Sequence, residues 1–211
     1  MSEVAFGWIA AALTVLVLVY YEASLLINER RHPGRLARTK HAQLREDWFV
    51  SISQHPGTEV LAVQTLRNSL MSATMIASTA AIGLMGTVTL AIPSLRASFG
   101  EKGFFNAHLV LELALITLLF ASLICSVMAA RFYNHAGFVG GMPVDSERRK
   151  KWNESGIAYV RRAGILYSWS LRHLVLVAPI FAFLLSEGAG PPSAIAATWV
   201  LGRFDRLRDA H

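Results

Sequence analysis

Few residues in this chain have the types and spacing to do chemistry, and most of them are arginines in apolar surroundings. Arg172 ends the string Tyr167-Ser-Trp-Ser-Leu-Arg172, about nine residues inside an apolar run. A charge at that depth in a membrane helix costs ~2.5–3.5 kcal/mol on insertion scales and marks a functional position by default. Arg67 opens a second apolar run with Asn68 beside it, and Arg131 closes a third with Asn134 and His135 following. If these runs cross a membrane, the three guanidiniums and their neighbouring amides reach similar depth. Such a group suits an anion: a lipid phosphate, a partner's carboxylate or a small anionic solute. The competing possibility is that each arginine sets orientation by snorkelling or by bonding a helix-end carbonyl. Glu59 is placed outside the bilayer and Glu112 at its far side, leaving Arg172 no acidic residue in the adjoining half of any span. Its acceptor is therefore expected to be a lipid phosphate, a bound anion, a backbone carbonyl or a partner's carboxylate.

His108 and Glu112 are four apart and share a helix face. They are weak metal candidates, because a zinc site needs a third protein ligand. No metal is assigned, and a Glu near a helix N-terminus, favoured by the macrodipole, is the preferred account. His173, next to Arg172, is expected to bond a backbone or side-chain partner rather than a metal. Gly137-Phe-Val-Gly140-Gly141 lacks the Gly-Lys-Ser/Thr ending of a phosphate loop. Nothing resembles a nucleophile elbow or a Cys-x2-Cys pair. No catalytic residue and no cofactor are assigned, and the expectation is a protein that is not an enzyme. The single cysteine, Cys125, lies in an apolar run and reads as an inert small hydrophobe.

The elements that position these residues follow from composition. Of 211 residues, 54% are hydrophobic and only 16% charged, against roughly 25% charged in soluble domains. Mean hydropathy is +0.42. This excludes a disordered chain, a disulfide scaffold and most soluble enzymes, and leaves an all-α polytopic membrane bundle forming one domain over residues 1–211. Four stretches provide the ~20 apolar residues that cross ~30 Å of hydrocarbon: about 4–27, 66–92, 107–130 and 163–185. Pro93 is expected to stop the second, and Gly188-Ala-Gly-Pro-Pro192 to end the fourth. Lys and Arg number seven in residues 28–67 and seven in 131–162, against two in 93–106 and none before Val4. The positive-inside rule then puts both long loops, 28–65 and 131–162, in the cytoplasm and the N-terminus outside. The net charge of +6 belongs to those loops, so no nucleic-acid partner is inferred.

Ala37, His41, Leu44, Trp48 and Ile52 recur at helical spacing. They suggest a cytoplasmic helix lying at the bilayer interface or packed on the bundle ends. Thr58 is a candidate N-cap, and the following helix is long enough that Val60, Leu61 and Val63 should be helical, beyond the hydrocarbon and covered by the cytoplasmic segments. Residues 193–207 are too short to span and are expected to form a short C-terminal helix that doubles back. In the second span Ser69, Ala73, Ala77, Gly83 and Gly86 let other helices approach closely, within the fold or from another subunit.

Leu61-Ala-Val-Gln-Thr-Leu-Arg-Asn-Ser-Leu-Met-Ser-Ala-Thr74, Arg131-Phe-Tyr-Asn-His135, Tyr167-Ser-Trp-Ser-Leu-Arg172 and Ala178-Pro179 together resemble the domain-of-unknown-function 599 family of bacterial and plant multispanning membrane proteins. The resemblance covers nearly the whole chain, and Leu-Arg-Asn-Ser is its most specific part. It implies the bundle fold, draws attention to Arg67, Asn68, Arg131, Asn134, His135 and Arg172, and implies no activity. The expected role is a non-catalytic accessory or scaffold subunit of a bacterial inner membrane. Its partners would be anionic lipids and other membrane subunits or further copies of itself. The alternative is a small transporter or channel for an anionic solute.

Overall fold

Each long apolar run becomes a helix, because a chain in hydrocarbon must satisfy its backbone groups within the segment. The computed structural model describes residues 3–31, 37–100 and 106–205. In chain order these form α1 (Glu3–Arg31), α2 (Ala37–Ile52), α3 (Glu59–Gly100), α4 (Ala107–Gly140), α5 (Glu147–Leu185), a 3-10 turn (Glu187–Ala189) and α6 (Gly190–Asp205). Helices α1, α3, α4 and α5 are long and apolar enough to cross a membrane. No strand occurs among the described residues.

The helix ends follow local chemistry. Asn106 accepts from the Leu109 N–H at 2.7 Å to open α4, and Ser146 accepts from the Arg149 N–H at 3.1 Å to open α5. Both satisfy an amide that the first helical turn leaves without a partner. Thr58 takes the N-cap position of α3, but its hydroxyl donates to the carbonyls of Ile52 and His55 and so ties α3 back to the end of α2. The turn before it passes through Gly57 at φ 90°, a left-handed conformation that strains any other side chain. Pro93 does not stop the second span: α3 continues through it to Gly100. Membrane helices tolerate proline when the freed carbonyl finds another partner. Pro191 and Pro192 fall in the first turn of α6, where a missing N–H costs nothing.

Helices α4 and α5 form the central antiparallel pair and run through two cores placed end to end. In one, Leu111, Leu115, Leu176 and Phe183 pack with Ala10 and Ala11 of α1 and Ala194 of α6. In the other, at the end carrying the basic loops, Tyr133, Ala136, Val139, Val160 and Ala163 pack with Phe49 of α2 and with Ala62, Leu66 and Ala73 of α3. A hydrogen bond from the Ser122 hydroxyl to the Ser170 carbonyl, 2.9 Å, joins α4 to α5 between them.

Helix α2 packs chiefly on α5, with a face turned from the expected one, although Ile52 and Trp48 belong to both. Ala42, Phe49 and Ile52 are buried, while Leu44 is 65% exposed and His41 is also exposed; the Ala37 side chain lies outside the described residues. The reason is on α5. Gly156 and Gly164 lie eight apart, two turns along one helix face, and receive Phe49 and Arg45 of α2. A Cβ at Gly156 would sit 2.7 Å from the Phe49 ring, and one at Gly164 would sit 2.6 Å from the Arg45 guanidinium. The start of α3 is helical as expected, yet Val60, Leu61 and Val63 are exposed; Ala62 and Leu66 face inward against Gly140.

The basic end is clasped by Arg149, whose side chain is almost fully buried. It donates to the Val139 carbonyl at the end of α4 and to Ser53 Oγ at 2.8 Å, and lies 5.1 Å from the Phe49 ring centre. Glu59 accepts from the Val144 N–H at 3.0 Å, fastening the α4–α5 loop to the start of α3.

The loop charges give a direct topology test in a Cys125→Ala background. Ser51 on α2 and Ser186 after α5 are both exposed and lie at opposite ends of the bundle. The side chain of Ser98, on the same side as Ser186, lies outside the described residues. A membrane-impermeant maleimide should label Ser186→Cys in intact cells and Ser51→Cys only after permeabilisation. Labelling of Ser51→Cys from outside would invert the orientation.

Candidate functional site

Arg172 is placed by three helices whose rise brings matching levels together. It lies 13 residues before the end of α5, and Asp205 lies 15 residues after the start of α6. At ~1.5 Å per residue both are ~20 Å from the connecting turn. Helix α6 therefore doubles back against α5 and α1, and its last described residue meets the guanidinium. Arg172 Nη2 donates to Asp205 Oδ1 at 2.6 Å, and Nη1 stands 3.8 Å from Glu22 Oε1 of α1. The second carboxylate oxygen of Asp205 accepts from the Tyr21 hydroxyl. The rings of Tyr21 and Trp169 flank the guanidinium, each with its centre 5.7 Å away. The arginine side chain is 6% exposed, Asp205 14% and Glu22 24%.

This corrects the expected source of the acceptor. Arg172 pairs within the chain, with Asp205 and with Glu22, an acidic residue inside the first span. Attraction between opposite charges grows as the surrounding dielectric falls, so the apolar layer that makes Arg172 costly also holds this group together. The cluster links α1, α5 and α6 at one level, which is a structural role for Arg172, Asp205, Glu22 and Tyr21. His173 also departs from expectation: its ring stacks on Trp169 with centres 5.6 Å apart, and its buried Nδ1 has no hydrogen-bond partner among the described residues.

The other expected anion ligands lie elsewhere. Arg67, Asn68, Arg131 and Asn134 are exposed on α3 and α4. Neither Arg67 nor Arg131 has a hydrogen bond or ion pair among the described residues, so their donors are open to an external group. His135 is half-buried with its ring 5.6 Å from Tyr159, and Tyr159 in turn stacks on Phe132. Arg162 lies 6.0 Å from the Phe132 ring centre and completes an aromatic and cationic strip at the basic end.

His108 and Glu112 diverge. His108 Nδ1 faces Glu187 at 3.6 Å, whereas Glu112 meets the Ser94 hydroxyl of α3 at 3.4 Å. No group of three metal-ligating side chains occurs among the described residues. Of the small residues of the second span, Ala73 is buried on α4 and Gly83 abuts Leu119, with Ser69 and Ala77 half-buried. Gly86 opens away from the fold, with nothing within 4 Å of where a Cβ would stand.

A cleft of about 940 Å³ lies between α1 and α6, with Asp205 and Tyr21 in its wall. One end is apolar, at Leu16 and Ile195; the other carries Ser24, Asn28 and Arg203.

Comparison with known proteins adds one identification. No curated protein and no solved structure matches the chain. A family model described as a protein of unknown function, DUF599, matches residues 9–210. With four membrane-spanning helices and nearly its whole length inside that match, the chain belongs to the DUF599 family of proteins of unknown function.

Proposed function

We propose that this integral membrane protein is a non-catalytic assembly subunit that docks on other membrane helices through α3, with Arg67 and Arg131 engaging anionic lipid or a partner at the basic end. The observation that carries this is the unpartnered side of α3. Only 17% of its apolar stretch is buried within the protein, against 28–33% for the other three spans. The helix rests on α4 along Leu66, Ala73 and Ala80. Its exposed side repeats small and hydroxyl-bearing residues every seven positions, at Thr65, Ser72, Thr79 and Gly86. A seven-residue repeat keeps one face towards a neighbouring helix, and small residues let the backbones approach. Ser72 and Thr79 donate to the carbonyls four residues back, so these two hydroxyls are satisfied within the helix. Asn68 is exposed on the same side and supplies an amide for a bond across the interface.

The loop charges support a cytoplasmic placement of the basic end, and the membrane in this reading is a bacterial inner membrane. Native gels of membranes gently solubilised from the parent cell test the assembly. The protein should migrate as a complex larger than one protomer, and Gly86→Leu should release it as a protomer that still inserts. Migration of the unaltered protein as a single protomer would refute the reading. A second possibility, passage of a small anion past Arg172, draws on the charged cluster beside the cleft. It predicts flux in liposomes that Arg172→Leu abolishes; engagement of Arg172 by Asp205 speaks against it.

A further inference from the structure

We infer that the cleft between α1 and α6 binds one anionic phospholipid, with the phosphate on Arg203 and an acyl chain along Leu16, Val17 and Ile195. This deepens the lipid-binding part of the reading above but uses residues on the opposite flank from α3. The cleft is graded as a lipid is. Its apolar end faces the middle of the first span, and its polar end, at Ser24 and Asn28, lies where that span finishes and Arg30 and Arg31 begin. A group at that level meets lipid headgroups. The volume of about 940 Å³ is at the upper end of small-molecule sites. Gly202 lines it beside Tyr21: a Cβ there would be in ordinary contact with the ring at 3.9 Å, and a larger side chain would extend into the cleft.

Charge selects the headgroup. Arg203 is the cation of the cleft wall, and it has no hydrogen-bond or ion-pair partner among the described residues. The nearest carboxylate does not compete for it: Asp205 gives one oxygen to Arg172 and the other to Tyr21. The guanidinium lies 5.5 Å from the Trp199 ring centre, which holds it at the rim of the cleft. It also occupies a face of Trp199, one of the rings that a choline headgroup could otherwise use. A phosphate with a net negative lipid charge therefore fits, and a zwitterionic choline lipid fits poorly.

Mass spectrometry of the intact protein, released from mild detergent and titrated with phosphatidylglycerol or phosphatidylcholine, tests this. One phosphatidylglycerol should bind about tenfold more tightly than phosphatidylcholine, the factor expected for one charge-assisted contact. Arg203→Ala should erase that preference, Arg203→Lys should keep most of it, and Gly202→Leu should weaken both lipids by narrowing the cleft. Equal binding of the two lipids to the unaltered protein would overturn the inference without recourse to a variant. Loss of preference in Arg67→Ala/Arg131→Ala but not in Arg203→Ala would also overturn it, while sustaining lipid binding at α3 and α4. Gly86→Leu should leave the preference intact, which separates this site from the assembly face.

Discussion

Replacing Asp205 by leucine is expected to destabilise the bundle by about 3 kcal/mol or more, and replacing Arg172 by leucine by less than half as much. Breaking a buried ion pair by removing one partner typically costs ~3–5 kcal/mol, because the other charge stays behind. The lower end applies here, since Glu22 remains 3.8 Å from the guanidinium. The asymmetry arises from protonation. An arginine stranded in the apolar layer cannot shed its charge, whereas a stranded carboxylate takes up a proton and becomes neutral. The double variant Arg172→Leu/Asp205→Leu should regain most of the loss, as buried pairs replaced by apolar residues often do. Unfolding in mixed micelles measures all three. Equal losses for the two single variants, or no loss for Asp205→Leu, would mean that the Arg172–Asp205 contact does not fasten α6.

Phe49→Ala is expected to lose ~3–5 kcal/mol, the usual range for deleting a buried phenylalanine ring. The ring is fully buried and fills the space over Gly156 and Gly140. It also underlies the Arg149 guanidinium. Removing it leaves a cavity between α2, α4 and α5 that the backbone cannot close, because Arg149 still pins Val139 and Ser53. The effect should be local. Helix α2 contributes only to the core at the basic end, so its amides should exchange with solvent much faster while those of α6 keep their protection. Gly156→Ala should act in the same direction by overpacking, at ~1–3 kcal/mol. Unchanged exchange in α2 for both variants would contradict the packing described for that helix.

These two sites mark where the sequence was legible and where it was not. The four spans follow from apolar length, and the doubling back of α6 from Pro191, Pro192 and a run too short to cross. Arg172 is conspicuous in sequence because a charge in hydrocarbon is rare. Its partner is not, since Asp205 lies 33 residues away in a tail whose depth depends on packing. Glu22 was in plain view inside the first span and is the signal that would have pointed to an internal pair. In α2, Trp48 and Ile52 do meet the core, but Leu44 outweighs Ala42 in an apolar tally and draws the expected face away from Ala42 and Phe49. What decides that face is two glycines about a hundred residues later. Arg149 hides in the basic run Arg148-Arg149-Lys150-Lys151, which looks uniformly solvated. Only the closing of the α4–α5 loop singles it out. Arg67, Asn68, Arg131 and Asn134 stand exposed; apolar length sets their depth in a span, but depth says nothing about which side of a helix faces which neighbour.

The most direct measurement of the assembly role is photo-crosslinking from α3 in native membranes. A photoreactive phenylalanine analogue at Thr79 lies on the exposed seven-residue repeat, and one at Phe120 of α4, itself 53% exposed, serves as the control. The position at Thr79 should yield a discrete protein adduct, either a second copy of the chain or another membrane protein, and Gly86→Leu should abolish it. The position at Phe120 should react with lipid. Lipid adducts alone at Thr79, with or without Gly86→Leu, would contradict the claim that α3 is a docking face and leave it an ordinary lipid-facing helix.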